Sequence, residues 1–118
     1  MTIVSAVNTA LSAVLANTWA VELPTEPTYP AIAFDVDSIS ERNWVIGGGY
    51  YQHEITIMLF AKTRTELATY RPLIKAAIEG INSGAFRYLG EEDSGDADFE
   101  ELPGVYGHYQ VFRVRERV

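Results

Sequence analysis

The chain contains no cysteine among its 118 residues. That removes a disulfide framework, a thiol nucleophile and any thiolate-built zinc or iron–sulfur site. Bases are also scarce, with 9 Lys and Arg against 16 Asp and Glu, for a formal charge of -7. A protein that wraps nucleic acid needs clustered Lys and Arg to neutralise phosphates, so tight binding of that kind is not expected. No apolar run reaches the length of a membrane span: polar residues interrupt the alanines and valines before Val21. Met1-Thr2-Ile3-Val4-Ser5 has no basic flank, so it does not read as a signal peptide. The reading is a soluble chain, cytoplasmic at synthesis.

What is present is enough for one domain. The apolar share is 47% and the aromatic share 12%, which is too rich for a disordered chain. Charge is unevenly placed. Residues 1–41 carry five acids and no base, 42–90 six bases against three acids, and 91–118 eight acids against three bases. Alternating zones of this kind suit docking between subunits, and they equally describe an ordinary solvated surface.

Hydrophobic spacing sets the elements. Ile3, Val7, Leu11 and Val14, widened by Val4 and Leu15, predict an amphipathic helix over 2–17. Trp19 to Leu23 reads as a short strand, and Pro24, Pro27 and Pro30 as an extended connection, with Pro30 at a strand's start. From Ala31 the period is two, with Ile32, Phe34 and Val36 on one face and Ala33, Asp35 and Asp37 on the other. Residues 38–49 read as a loop or ragged strand ending in three glycines. No Lys-Ser or Lys-Thr follows, so this is not a phosphate loop.

Tyr50 to Ala61 is the clearest strand, with Ile55, Ile57 and Leu59 on one face. The opposite face begins polar and ends in Met58 and Phe60, which predicts cover over that end. Thr63 and Glu66 form a capping box that starts a second helix. Its stripe runs through Leu67, Tyr70, Ile74, Ala77, Ile78 and Ile81. Pro72 predicts a kink or a restart, and Gly84 a stop. Phe86 to Leu89 begins a strand, residues 91–101 read as an acidic loop, and Tyr106 to Val118 forms the last strand. Its alternation is blurred, which predicts a bulge or cover on both faces. The order gives an α+β domain spanning 1–118: two helices on one face of a mostly antiparallel sheet of four to five strands.

Candidates for chemistry are few. His53 and His108 are the only histidines, both on predicted strands, and pairing of those strands would bring the rings together. With Asp35 or Asp37 they would make a metal site, but strand histidines are more often packing residues, so neither metal nor cofactor is expected. Asp35 and Asp37 share a face like paired hydrolase carboxylates, and the commoner reading is the solvent side of a strand. No nucleophile elbow, metalloprotease helix or dinucleotide fingerprint occurs, and the acidic segment lacks the register of a calcium loop. The aromatic residues on or beside strands, Tyr50 and Tyr51 among them, suit core and interface packing. The expectation is a protein without enzymatic activity.

The stretch Tyr51-Gln-His-Glu-Ile-Thr-Ile-Met-Leu-Phe-Ala-Lys62 runs into Thr63-Arg64-Thr65-Glu66-Leu67 and a helix. An N-terminal helix and the strand opened by Tyr29-Pro30-Ala31-Ile32-Ala33-Phe34 precede it. This layout resembles the tail-terminator (tail-completion) proteins of siphophages, over nearly the whole chain and by order and size rather than by a motif. The resemblance implies a homohexameric ring that caps the finished tail tube and joins it to a head-completion or neck protein. DNA passes through its channel without specific binding, and the protein resides in the virion tail. It further implies that Tyr50, Tyr51, Met58, Phe60, Arg64, Arg71, Arg113 and Arg115 lie at subunit contacts. Met58 and Phe60 would pack between subunits or under the second helix. The acidic residues Glu91, Glu92, Asp93, Asp96, Asp98, Glu100 and Glu101 would line the channel or face a partner. Another neck or tube component, or a small ligand-binding domain, remains the alternative.

Overall fold

A computed structural model describes residues 2–20, 28–45, 48–82, 84–98 and 104–117. Thr2 supplies the side-chain acceptor that starts the first helix: its hydroxyl takes the Ser5 N–H at 3.1 Å. Helix α1 then runs over Ile3–Val14 and buries Ile3, Ala6, Val7 and Leu11. Val4, read from the sequence as part of the apolar stripe, instead faces outward. Strand β1 (Thr18–Ala20) follows, where the sequence predicts a strand over 19–23; 21–23 lie outside the described residues.

Strand β2 (Ala31–Val45) begins directly after a cis Tyr29–Pro30 bond and β3 spans Gly48–Ala61. Of the two readings of 38–49, loop or ragged strand, the structure takes the strand: β2 runs to Val45, with residues 31 to 41 in unbroken register with β3 and an irregularity between Glu41 and Val45. The capping box is present in a modified form. Glu66 N–H donates to Thr63 Oγ1 at 3.2 Å, and the Thr63 hydroxyl in turn reaches the Glu66 carboxylate at 3.2 Å. Helix α2 (Arg64–Glu79) passes through Pro72 as one helix without a restart. It ends at Gly80, four residues before the predicted stop; Gly84 instead takes a positive φ of 61° in the turn to the next strand.

The largest correction concerns the acidic segment. Strand β4 covers Phe86–Asp98, so Glu91, Glu92, Asp93, Asp96 and Asp98 sit on a strand; Glu100 and Glu101 lie outside the described residues. Carboxylates are poor strand formers by propensity, yet β4 is an edge strand, where charge costs little and discourages pairing with other chains. Its pairing with β5 (Tyr106–Arg117) shifts register twice, between Tyr88 and Gly90 and between Glu91 and Asp93. The irregularity predicted for the last strand therefore lies in its partner, with Gly90 at φ 143° supplying a conformation other residues rarely adopt.

The sheet order is β1-β2-β3-β5-β4, with β1 parallel to β2 and every other pair antiparallel. Both helices pack on one face. There α1 and α2 close a core with Ile32 and Phe34 of β2, Ile55, Ile57 and Leu59 of β3, Phe112 and Val114 of β5, and Phe86. The two-layer α+β reading is correct.

Candidate functional site

Two regions carry the polar side chains: a series of buried groups on the helix side of the sheet, and the face turned away from the helices.

On the helix side, strand register sets His53 opposite Ser38 of β2 and Val114 of β5, with Glu116 two residues further along β5. The Ser38 hydroxyl meets His53 Nδ1 at 2.6 Å and Glu116 Oε1 meets Nε2 at 2.7 Å, while the ring is only 4% exposed and stacks on Tyr51. With the imidazole neutral and protonated at Nε2, the carboxylate accepts from Nε2–H and Nδ1 accepts the serine proton. Every group is satisfied, and three adjacent strands are tied in one register. The residue types are those of a nucleophilic triad, but Ser38 lies mid-strand on a pleated sheet rather than on a strained turn that presents its hydroxyl to a cleft. The arrangement reads as a strand clamp.

His108 lies level with Leu59, six residues along β3 from His53, or about 20 Å. The two histidines are not brought together, which overturns the pairing considered from the sequence. His108 Nδ1 meets Asp96 at 3.1 Å, and its buried Nε2 has no partner among the described residues. Beside it Gln110, 2% exposed, donates to the Arg71 carbonyl and to Glu91, both at 3.4 Å. Among the described residues no three His, Cys, Asp or Glu side chains converge on a metal position.

The opposite face carries Ala31, Ala33, Asp35 and Asp37 of β2, Gln52, Glu54, Thr56, Met58 and Phe60 of β3, and Tyr109, Val111, Arg113, Arg115 and Arg117 of β5, as the register requires. Met58 and Phe60 therefore point away from α2, and the expectation that they might lie under the second helix is wrong. Cover at that end is real for Phe60, which is 8% exposed, and partial for Met58. Trp19 of β1, level with Ala33, is exposed on the same end.

Charge is sorted across this face. Arg113 bonds Glu92 at 2.8 Å, lies 3.6 Å from Glu54, and donates to Gln52 at 3.0 Å. Glu92's hydrogen bond and charge, helped by Glu54, hold its guanidinium above the ordinary value against the opposing effect of desolvation. Two of the charges assigned to partner contacts, Arg113 and Glu92, are thus spent inside the chain. Arg115 lies over the Tyr50 ring at 5.2 Å, and Arg64, on α2, lies over Tyr106 at 5.4 Å. On β4, Gly95 leaves room for the Tyr109 ring, whose Cε1 and hydroxyl oxygen stand 3.1 Å from where a Cβ would be. The Tyr109 hydroxyl donates to Asp93 at 3.3 Å, and Asp93's charge, then desolvation, raises its pKa above 10.0.

Sequence reasoning missed Ser38 and Glu116, because their joint contact with His53 exists only once three strands are in register. It also missed the buried Gln110, which carries no pattern signal.

Fold and surface together define a two-layer α+β protein with one sheet face covered by helices and the other open. No family model matches the chain, and no curated protein does. Among solved structures 34 chains match. One, from the virion of a native gene transfer agent particle, superposes with a TM-score of 0.66 at 15% identity. The match covers 98% of this chain and 95% of that one. At this identity the likeness establishes the fold.

Proposed function

We propose that this protein is a structural virion subunit that forms a ring, caps a completed phage-type tail tube, ends its polymerisation and joins it to the head or neck. The observation that carries the reading is the end-to-end likeness to a chain of a gene transfer agent virion, which leaves almost nothing of either chain unmatched. The open sheet face, with its sorted charges, supplies a surface for neighbours. In the ring the subunit would meet further copies of itself, a tail-tube protein below and a head-completion protein above. DNA would pass through the channel without sequence-specific contact, kept from sticking by like charge on the acidic strand β4.

Light scattering across a concentration series, with negative-stain images of the same samples, tests this. Six-fold rings that do not elongate are expected. Long tubes would reassign the chain to the tube itself, and a strict monomer would move it to a template-dependent neck component or a ligand-binding domain.

A further inference from the structure

Among the described residues, Asp35, Asp37, Arg87 and Arg117 form no ion pair, although all four are exposed. Asp35 accepts only the N–H of its neighbour Val36, at 2.9 Å. The two acids belong to one lateral margin of the sheet. They stand two residues apart on the open face of β2, and among the described residues no strand pairs with the outer edge of β2 beyond Phe34. The two bases lie toward the other side of the sheet, Arg87 on the edge strand β4 and Arg117 on its inner neighbour β5. There the register sets Arg87 directly opposite Arg115, with Arg117 two residues further on. Like charges opposed across strands are destabilising, and the nearby carboxylates Glu54 and Glu92 are committed to Arg113.

A chain with unmatched acids on one margin and unmatched bases on the other is complementary to itself in a head-to-tail sense. The two aspartates are about 7 Å apart along one strand, and Arg87 and Arg117 are diagonal neighbours on adjacent strands at about 7–8 Å, so the two pairs have similar spacing. A polyanion such as a nucleic-acid backbone would satisfy the arginines but leave Asp35 and Asp37 unmatched; a second copy satisfies both. The rest of β4 narrows the placement. Glu91, Asp93 and Asp96 make its distal half acidic and would repel a neighbour's aspartates, so contact is confined to the Arg87 end.

We infer that copies of this chain associate head to tail, the Asp35 and Asp37 margin of one docking on the Arg87 and Arg117 margin of the next. Such a heterologous contact is the kind that closes into rings. The inference rests on the ring reading above and names the surfaces that build it.

Two charge-reversed variants test it, Asp35→Lys with Asp37→Lys, and Arg87→Glu with Arg117→Glu. Each alone is expected to lose the assembled mass and sediment as a monomer with wild-type circular dichroism. A 1:1 mixture should recover it, because the lysine margin of one variant now complements the glutamate margin of the other, and the two unaltered margins still complement each other. The milder pair Asp35→Asn with Asp37→Asn guards against misfolding and should weaken assembly in part, with added salt dissociating the wild type. Wild-type rings that persist in either reversed variant overturn this interface and leave the ring standing, and so does a mixture that stays monomeric. A wild-type chain that is monomeric at every concentration overturns both.

Discussion

The helix-covered face and the open face belong to the same strands, yet they solve different problems. On the covered side Ile55, Ile57, Phe112 and Val114 are fully buried, and the buried polar residues His53, His108 and Gln110 each have a hydrogen-bond partner in their own chain, with only His108 Nε2 unpartnered among the described residues. On the open side, side chains at intervening positions such as Thr56, Val111 and Arg115 are half-buried. Among the described residues, Asp35, Asp37, Arg87 and Arg117 form no ion pair there. The covered face stabilises the fold through removal of apolar surface from water. The open face leaves chemical potential for contacts outside the chain. Stability and assembly can therefore be separated by parity along a single strand.

The comparison breaks most visibly through Phe112. Phe112→Ala empties a fully buried site and should cost about 3–5 kcal/mol, whereas Thr56→Ala on the open face should change stability by less than about 0.5 kcal/mol. Urea unfolding of both variants checks this, and equal losses would mean the open face is as structural as the covered one. A smaller effect is expected at the strand clamp. His53→Ala leaves Ser38 and Glu116 without their shared partner and should cost about 1–3 kcal/mol in the same assay. If the neighbouring exposed face were equally constrained, Asp37→Ala would cost as much. The smallest effect is alkaline. Tyr88, raised first by burial and then by the charges of Glu79 and Glu91, and Tyr109, raised first by Asp93, both keep their protons above 10.0. A folded value above the unfolded one means that their contribution is complete below pH 10 and is lost as pH rises through the folded values. Replacing both with Phe should flatten the alkaline fall in melting temperature and remove the latest-titrating phenolate absorbance.

Patterning revealed much of this architecture because the covered face dictates it. The 3.6-residue stripe of α1, the capping box at Thr63 and the alternation of β3 all follow from which side chains must leave water. The second half of β4 was illegible for the opposite reason. An edge strand with solvent on its outer side has no apolar alternation to display, and its carboxylates resemble a loop until ladder pairing with β5 is known. Residues 38–45 were hidden in the same way, since their strand state comes from pairing with β3 rather than from their own periodicity. The sorting of charge across the open face was half legible. The acidic and basic zones of the chain could be counted, but placing Asp35 and Arg87 on opposite margins required the strand order.

That strand order also governs how the chain is made. The central pairing joins residues 50–61 to 106–117, so β3 cannot gain its second neighbour until residue 117 has left the ribosome. At about 5–20 residues per second, the interval after residue 61 emerges is roughly 3–11 s, while a hairpin forms in about 1–10 μs. The β2–β3 hairpin must therefore wait through most of that time with one edge unclaimed. Glu54, which precedes Ile55 and Ile57 on that strand, places a charge where an apolar edge would otherwise invite pairing with another chain.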